Sequence, residues 1–268
     1  VSPLDNVEYD PTVHGGSVYF DGTGDYLSIN DSNDFNFASG NGDFTIEWWM
    51  YKTNAEMGWL FSQRDGSTSE LGVRIDDGNP ADSYSLGYVN IQYHSDTIQF
   101  NIDTKLNTWH HCAFVRTGTT IKWYTDGVLK DSRTEPASLA NYSDPLYIGT
   151  WKSQSYLYQG YISDFRITNQ NAVYNGNFTP PTAPLSSPSV GVHIKGTDAS
   201  IVDKAQNSNL KQGSSSSNVV GATTITDPFG GSLPSIYIPV HTHFIQTAED
   251  IPAVGTGDFT GEAWVWRP

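Results

Sequence analysis

Cysteine is almost absent. One residue, Cys112, allows no disulfide within the chain. It sits in an apolar run and reads as a small buried hydrophobe. Basic residues are scarce, 14 Lys and Arg against 29 Asp and Glu, and the net charge is −15. Such a field repels phosphate backbones and excludes nucleic acid as an expected partner. No apolar run approaches the roughly 18 residues of a spanning helix, so no membrane insertion is expected. Residues 1–11 lack the basic start and apolar centre of a signal peptide, and there is no initiator Met. Helical periodicity is missing almost throughout.

What remains is aromatic and turn-rich. The chain carries 15 Tyr, 12 Phe and 8 Trp with 25 Gly, a mixture suited to strands that pack large side chains on pleated surfaces. Runs of β-branched and aromatic residues predict strands at 17–20, 26–29, 44–51, 59–63, 71–75, 86–93, 97–102, 110–116, 120–125, 146–149 and 158–168. Thr117-Gly118 and Asp126-Gly127 read as tight hairpin turns. About a dozen strands at this spacing predict an all-β, two-sheet antiparallel jelly-roll sandwich.

The texture changes after Phe178, where prolines at 180, 181, 184 and 188 forbid continuous ladder pairing. The expected organisation is a first domain over 1–185, a Ser/Pro linker at 186–189 and a further segment over 190–268. That segment has its own strand signals at 190–194 and 235–239. An internal repeat interprets it. Gly42-Asp-Phe-Thr-Ile-Glu47-Trp-Trp49 recurs as Gly257-Asp-Phe-Thr-Gly-Glu262-Ala-Trp264, an offset of 215 residues that also superimposes Gly15-Gly16-Ser17 on Gly230-Gly231-Ser232. The segment is therefore expected to be the incomplete opening of a second copy, and the whole chain a window of a longer tandem array.

These residues together resemble a known family. Gly15-Gly-Ser-Val-Tyr-Phe-Asp-Gly-Thr-Gly-Asp-Tyr-Leu27 resembles the opening of laminin G-like, concanavalin A-like lectin domains. Phe44-Thr-Ile-Glu-Trp-Trp-Met-Tyr51 is similar to their next core strand. Trp109-His-His-Cys-Ala-Phe-Val-Arg116 with Trp123-Tyr-Thr-Asp-Gly127 matches their central hairpin, and Gly160-Tyr-Ile-Ser-Asp-Phe-Arg-Ile167 a closing strand. The ending Asn171-Ala-Val-Tyr-Asn-Gly-Asn-Phe-Thr-Pro-Pro-Thr-Ala-Pro-Leu185 resembles modules in structural and tail-fibre proteins of marine and cyanobacterial bacteriophages. The resemblance implies a non-enzymatic structural or adhesive module at a virion surface or another extracellular location. Its expected partners are cell-surface glycans, other virion proteins and neighbouring domains of the same chain. Two alternatives are a secreted cellular surface adhesin and an accessory carbohydrate-binding region of a glycan-degrading enzyme.

Candidate chemistry follows. The paired carboxylates that glucanases of this fold need have no matching array here, because Glu47, Glu56, Glu70 and Glu135 stand singly. Sugar faces stack on exposed aromatics while amide and carboxyl groups bond the hydroxyls. Trp59, Tyr84, Trp151, Tyr156 and Tyr158, in or beside predicted loops, are the glycan-binding candidates, with Trp151 to Tyr156 the leading stretch. Asp21, Gly22 and Asp25 lie in a Gly-rich loop that offers oxygens to a hard cation. The resemblance adds Asp164 of the closing strand as a further ligand to a structural calcium ion. The competing reading of the aspartates is that they shape a turn.

Overall fold

A computed structural model describes residues 14–37, 42–65, 69–76, 84–92, 98–135, 139–152, 154–189, 191–196, 201–203, 210–214 and 223–224. The strands are β1 (Val18–Asp21), β2 (Asp25–Ile29), β3 (Phe44–Lys52), β4 (Gly58–Asp65), β5 (Ser69–Asp76), β6 (Tyr84–Gln92), β7 (Ile98–Lys105) and β8 (Trp109–Thr117). They continue with β9 (Thr120–Thr125), β10 (Val128–Thr134), β11 (Leu146–Ile148), β12 (Gln159–Asn169), β13 (Gly191–Gly196), β14 (Ile201–Asp203), β15 (Leu210–Ser214) and β16 (Thr223–Thr224).

Two antiparallel sheets form. The first runs β10-β9-β8-β3-β12-β1-β16, with β13 also on β12 and β14 on β13. The second runs β15-β2-β11-β4-β5-β6-β7. This is the expected two-sheet sandwich, and its non-consecutive neighbours are those of a jelly roll. The hairpin between β9 and β10 turns at Asp126 and Gly127, both in the left-handed region at φ 50° and 72°. That geometry suits the twist of a two-residue hairpin.

Alternation sets the core. His110, Cys112 and Phe114 of β8 point to one side, and His111, Ala113 and Val115 to the other. Cys112 and Phe114 belong to the inter-sheet core with Trp48, Phe61, Trp123 and Phe165, while Ala113, Val115 and Tyr124 form a separate cluster on the outer side. Trp48 meets Phe61 and Trp123 edge-on at ring separations of 5.8 and 5.7 Å, the arrangement favoured by aromatic quadrupoles.

The outer side of the first sheet is covered in part, and Tyr19, Tyr51, Trp109 and Tyr161 form a partly exposed aromatic cluster on the remainder. Residues 170–189 leave β12 and return across its outer side as a strap. Tyr174 and Phe178, stacked at 3.6 Å, pack on the Ala113–Val115–Tyr124 cluster. Phe178 donates its N–H to the Gly127 carbonyl, and a Cβ at Gly127 would collide with Phe178 O at 1.8 Å. Glycine there lets the strap close.

Pairing continues past the Ser/Pro stretch. Arg166 Nη1 donates to Ser186 O at 2.9 Å, and Phe165–Thr168 of β12 pairs with Gly191–Ile194 of β13. β15 pairs with β2 over five residues, and β16 pairs with β1. Residues 225–268, which hold the repeat motif of the expected second copy and the strand expected at 235–239, lie outside the described residues.

Candidate functional site

Beneath the strap lies a closed polar network. Glu47 is fully buried and accepts hydrogen bonds from Arg166 Nε at 3.0 Å and the Tyr174 hydroxyl at 2.7 Å. Nε2 of His111 stands 3.3 Å from the same carboxylate without hydrogen-bond alignment, so it acts as an electrostatic neighbour. Burial opposes ionisation of Glu47, but His111, Arg166 and Tyr174 outweigh it and hold the carboxyl below its usual range. A carboxylate without solvent contact and with both oxygens bonded orients the strap. Its geometry gives it no access to a substrate. His110 and His111 are both buried, at 7% and 0% exposure. Burial of His111 follows from the strap, whose Phe178 ring meets it edge-on at 5.7 Å.

The second sheet carries a different outer side. Loop 149–158 folds back on β4: Gly149 donates to Leu60 O, Trp59 to Tyr156 O, and Gln154 to Trp151 O. The loop thus forms a ledge beside β4 and β11. Trp151, partly exposed, stacks on Trp59 at 6.4 Å and 19°. The Arg64 guanidinium lies 4.7 Å over the Trp151 ring, and that of Arg74 lies 5.9 Å over Trp59. Tyr26 and Tyr147, neighbours across β2 and β11, stand 6.0 Å apart at the same edge. Gln154 donates to the Tyr26 hydroxyl at 3.2 Å.

Among the expected glycan ligands, Tyr156 has an exposed ring. It is 53% exposed and holds φ at 54°, a value bulky residues rarely adopt. Its carbonyl bond to Trp59 N–H fixes that conformation. Trp151 is beside it, but its ring faces Trp59 and Arg64. Trp59 is only 3% exposed and Tyr158 is fully buried in the inter-sheet core. Tyr158 is part of the core, and Trp59 lies on the outer side under Trp151 with little of its ring open. Tyr84 pairs with Lys105 at one end of β6, away from the ledge. Gln154 belongs to the expected 151–156 stretch, whereas Tyr26, Tyr147, Arg64 and Arg74 escaped sequence reasoning, because alternation shows which side of its own strand a residue takes but not which strands become neighbours.

The expected calcium ligands divide into two places. Asp21, Gly22 and Asp25 share one turn. The Asp21 carboxylate accepts from Thr23 N–H at 2.7 Å and Thr23 Oγ1 at 2.6 Å, and Asp25 accepts from Asp21 N–H at 3.3 Å. Burial, then the Asp21 charge, push the Asp25 carboxyl up to about 6 against the pull of that N–H bond. Asp164 lies elsewhere. Asp21 pairs with Gln159, which puts Asp164 five residues further along β12, about 16 Å away at strand rise. There it bonds His193 Nε2 at 2.6 Å and the Leu185 N–H at 2.6 Å. Among the described residues no three His, Cys, Asp or Glu side chains are gathered as a metal site.

Two antiparallel sheets packed around an aromatic core make a jelly-roll sandwich, the class to which lectin-like modules belong. The family model for the concanavalin A-like lectin/glucanases superfamily, of laminin G type, matches residues 21–172, more than half of the chain, and the protein belongs to this family. No curated protein matches it. Among solved structures it is similar to a putative carbohydrate binding protein from Bacteroides ovatus, at 14% identity and TM-score 0.56 over 81% of this chain. The chain spans 60% of the length of that protein. It is also similar to a SAP-like pentraxin of Limulus polyphemus, at 13% identity and TM-score 0.45, covering 79% of this chain and 97% of that one. Mouse laminin alpha1 domains LG4-5 align at 17% identity and TM-score 0.43, covering 64% and 47% respectively.

Proposed function

We propose that this chain is a non-catalytic carbohydrate-binding module whose contact surface is the 149–158 ledge and the adjoining outer side of β2, β11 and β4. The observation that carries this reading is Tyr156, an exposed ring held in a strained conformation on the same loop as Trp151 and as Gln154, which reaches the Tyr26 hydroxyl. Strained backbone is retained where a site needs a fixed side chain. A sugar ring stacks on Tyr156, and its hydroxyls bond Gln154 and the tyrosine hydroxyls. The Bacteroides protein of the same fold, described as carbohydrate binding, supports the class. The buried Glu47 supports a non-catalytic role.

In its biological setting the module is a structural and adhesive part of a virion appendage, displayed outside cells. The resemblance of the ending 171–185 to modules of phage structural proteins supports this placement. Detection of the protein in purified particles by mass spectrometry checks it, and absence from them removes the virion assignment.

Glycan-array binding by the full chain tests the molecular function. Tyr156→Ala is expected to lower affinity at least tenfold with an unchanged melting temperature, and Gln154→Ala to lower it less. A folded wild-type chain that binds no glycan, or a Tyr156→Ala chain that binds as well as wild type, ends the proposal.

A further inference from the structure

Where the strap leaves the outer side of the first sheet uncovered, the surface is paved with aromatic rings. Alternation and register put Tyr19 of β1, Tyr161 of β12, Tyr51 of β3 and Trp109 of β8 on one rung that crosses four neighbouring strands. Each is partly exposed. Successive rings along the rung stand 4.9, 5.7 and 5.6 Å apart, and Trp109 also meets Tyr161 at 6.2 Å. At three strand spacings the row is about 14 Å long.

The row has two unlike borders. Two residues along the strands on one side stand Ser163, Trp49 and His111, all buried. His14 lies against Trp49 at 5.1 Å and its Nε2 donates to the Pro181 carbonyl at 2.9 Å, while Phe178 meets His111 edge-on. The strap therefore ends above that rung and stands as a wall beside the aromatic row. Two residues along on the other side, Asp21 and Gln159 are register partners. The Gln159 side chain lies against the turn at Gly22, where a Cβ would come within 3.0 Å of the Gln159 Cβ. Asn107, exposed and two residues before Trp109, is held at φ 55° with its N–H on the Lys52 carbonyl at 2.8 Å. This border thus carries a carboxylate and two amides.

An aromatic floor with such a rim suits a ligand with apolar ring faces and hydroxylated edges. Pyranose rings stack on aromatic faces, and their hydroxyls, which both donate and accept, match amide and carboxylate groups. A peptide is a poorer fit: its backbone N–H and C=O groups would meet side chains instead of an open strand edge and lose water without gaining partners. A second folded copy would strike the strap before reaching the floor. The net charge of −15, with Asp21 exposed at the rim, disfavours an acidic polymer.

We propose that the row Tyr19, Tyr161, Tyr51 and Trp109 is a second carbohydrate site, which takes an uncharged linear polysaccharide laid across the strands. It lies on the opposite sheet from the 149–158 ledge and does not depend on it. A module with both sites holds two glycan chains, one against each sheet.

Native electrophoresis of the full chain through gels containing galactomannan, xyloglucan or mixed-linkage β-glucan tests the proposal. Tyr156→Ala is the starting chain, so that the ledge contributes little. It is expected to be retarded by at least one of these polymers. Adding Tyr161→Ala, at the centre of the row, is expected to weaken that retardation about tenfold. Adding Gln159→Ala, at the rim, is expected to weaken it about threefold with an unchanged melting temperature, and this variant carries the test if Tyr161→Ala unfolds. No retardation of the Tyr156→Ala chain overturns the proposal, as does retardation that neither added substitution weakens. Retardation by poly-L-proline in place of the polysaccharides would assign the row to a peptide, and a dimer in sedimentation velocity that Tyr161→Ala dissolves would assign it to a second copy. Either result overturns the proposal. Polysaccharide binding by wild type that depends on Tyr161 and Gln159 but not on Tyr156 removes the ledge and leaves the row standing.

Discussion

Trp59 lies across Gly72: a Cβ at residue 72 would come within 2.7 Å of the indole Cζ3 and of Phe61 O. The bare backbone of β5 is what allows the indole to rest on the outer side of the sheet and stack under Trp151. Gly72→Ala is therefore expected to displace Trp59 and to cost about 1–3 kcal/mol, as overpacking does. Differential scanning calorimetry should show a melting temperature several degrees lower. Tryptophan emission should shift as the Trp59–Trp151 stack opens. A variant with wild-type melting and emission contradicts this role for Gly72.

Glu47 is the hub under the strap. Glu47→Gln leaves Arg166 without its buried counter-charge and is expected to destabilise by about 3–5 kcal/mol in chemical denaturation. The double variant Glu47→Gln with Arg166→Met removes both charges. It should recover a large part of that loss, because a buried pair replaced together is far less costly than one broken singly. Additive losses in the two single variants and the double would contradict the network.

Two carboxylates predict opposite pH responses. The folded-state value of Glu47 is depressed, so its contribution is present above the ordinary glutamate range and is lost as pH falls through the lowered value. Asp25 is raised from 3.8 to about 6. Ionising it in the folded state costs stability that grows as pH climbs from about 4 to 6 and stays constant above. The two effects together favour the window just above pH 4, where the Glu47 contribution is largely present and most of the Asp25 cost has yet to build up. Asp25→Asn should raise the melting temperature at pH 7.5, by the equivalent of about 1 kcal/mol after screening at the loop rim, and leave it unchanged near pH 4. Melting curves at pH 3.5, 5 and 7.5 decide this.

The same turn settles the calcium expectation. If Asp21 and Asp25 hold a calcium ion, millimolar calcium chloride at pH 7.5 raises the melting temperature of wild type and not of Asp25→Asn, and a chelator reverses the gain. Equal melting of wild type with calcium and with chelator assigns the two carboxylates to turn formation alone.

Cys112 is fully buried between the sheets, and burial raises its thiol well above the ordinary range. The native chain is expected to resist iodoacetamide at pH 8, with complete alkylation once guanidinium unfolds it. Rapid labelling under native conditions would place the thiol outside the core.

The fold was largely legible because alternation and turn chemistry are local. Asp126-Gly127 announced its hairpin, and the run 44–51 announced a strand, which the structure extends to Lys52 and buries on both faces. β10 was missed: Val128–Thr134 is polar and mostly exposed at a sheet edge, so it lacks the apolar side that a sequence reading detects. The pairing of β13 with β12 and of β15 with β2 was also illegible, since the partner strands lie on either side of the Ser/Pro stretch. At the site, Tyr156 was found because the loop that carries it is short and aromatic. Tyr26 and Arg64 were not, because their contacts with Gln154 and Trp151 depend on β2, β11 and β4, distant in sequence, becoming neighbours.

The 170–189 strap gives the module a front and a back. If modules follow one another along a fibre, the rotation from each to the next decides whether their fronts form one continuous stripe or point outward in turn. A stripe would let weak individual contacts add up on a flat cell wall through high effective concentration. A spiral of fronts would instead spread the same contacts around the shaft, so that few could engage one surface at a time.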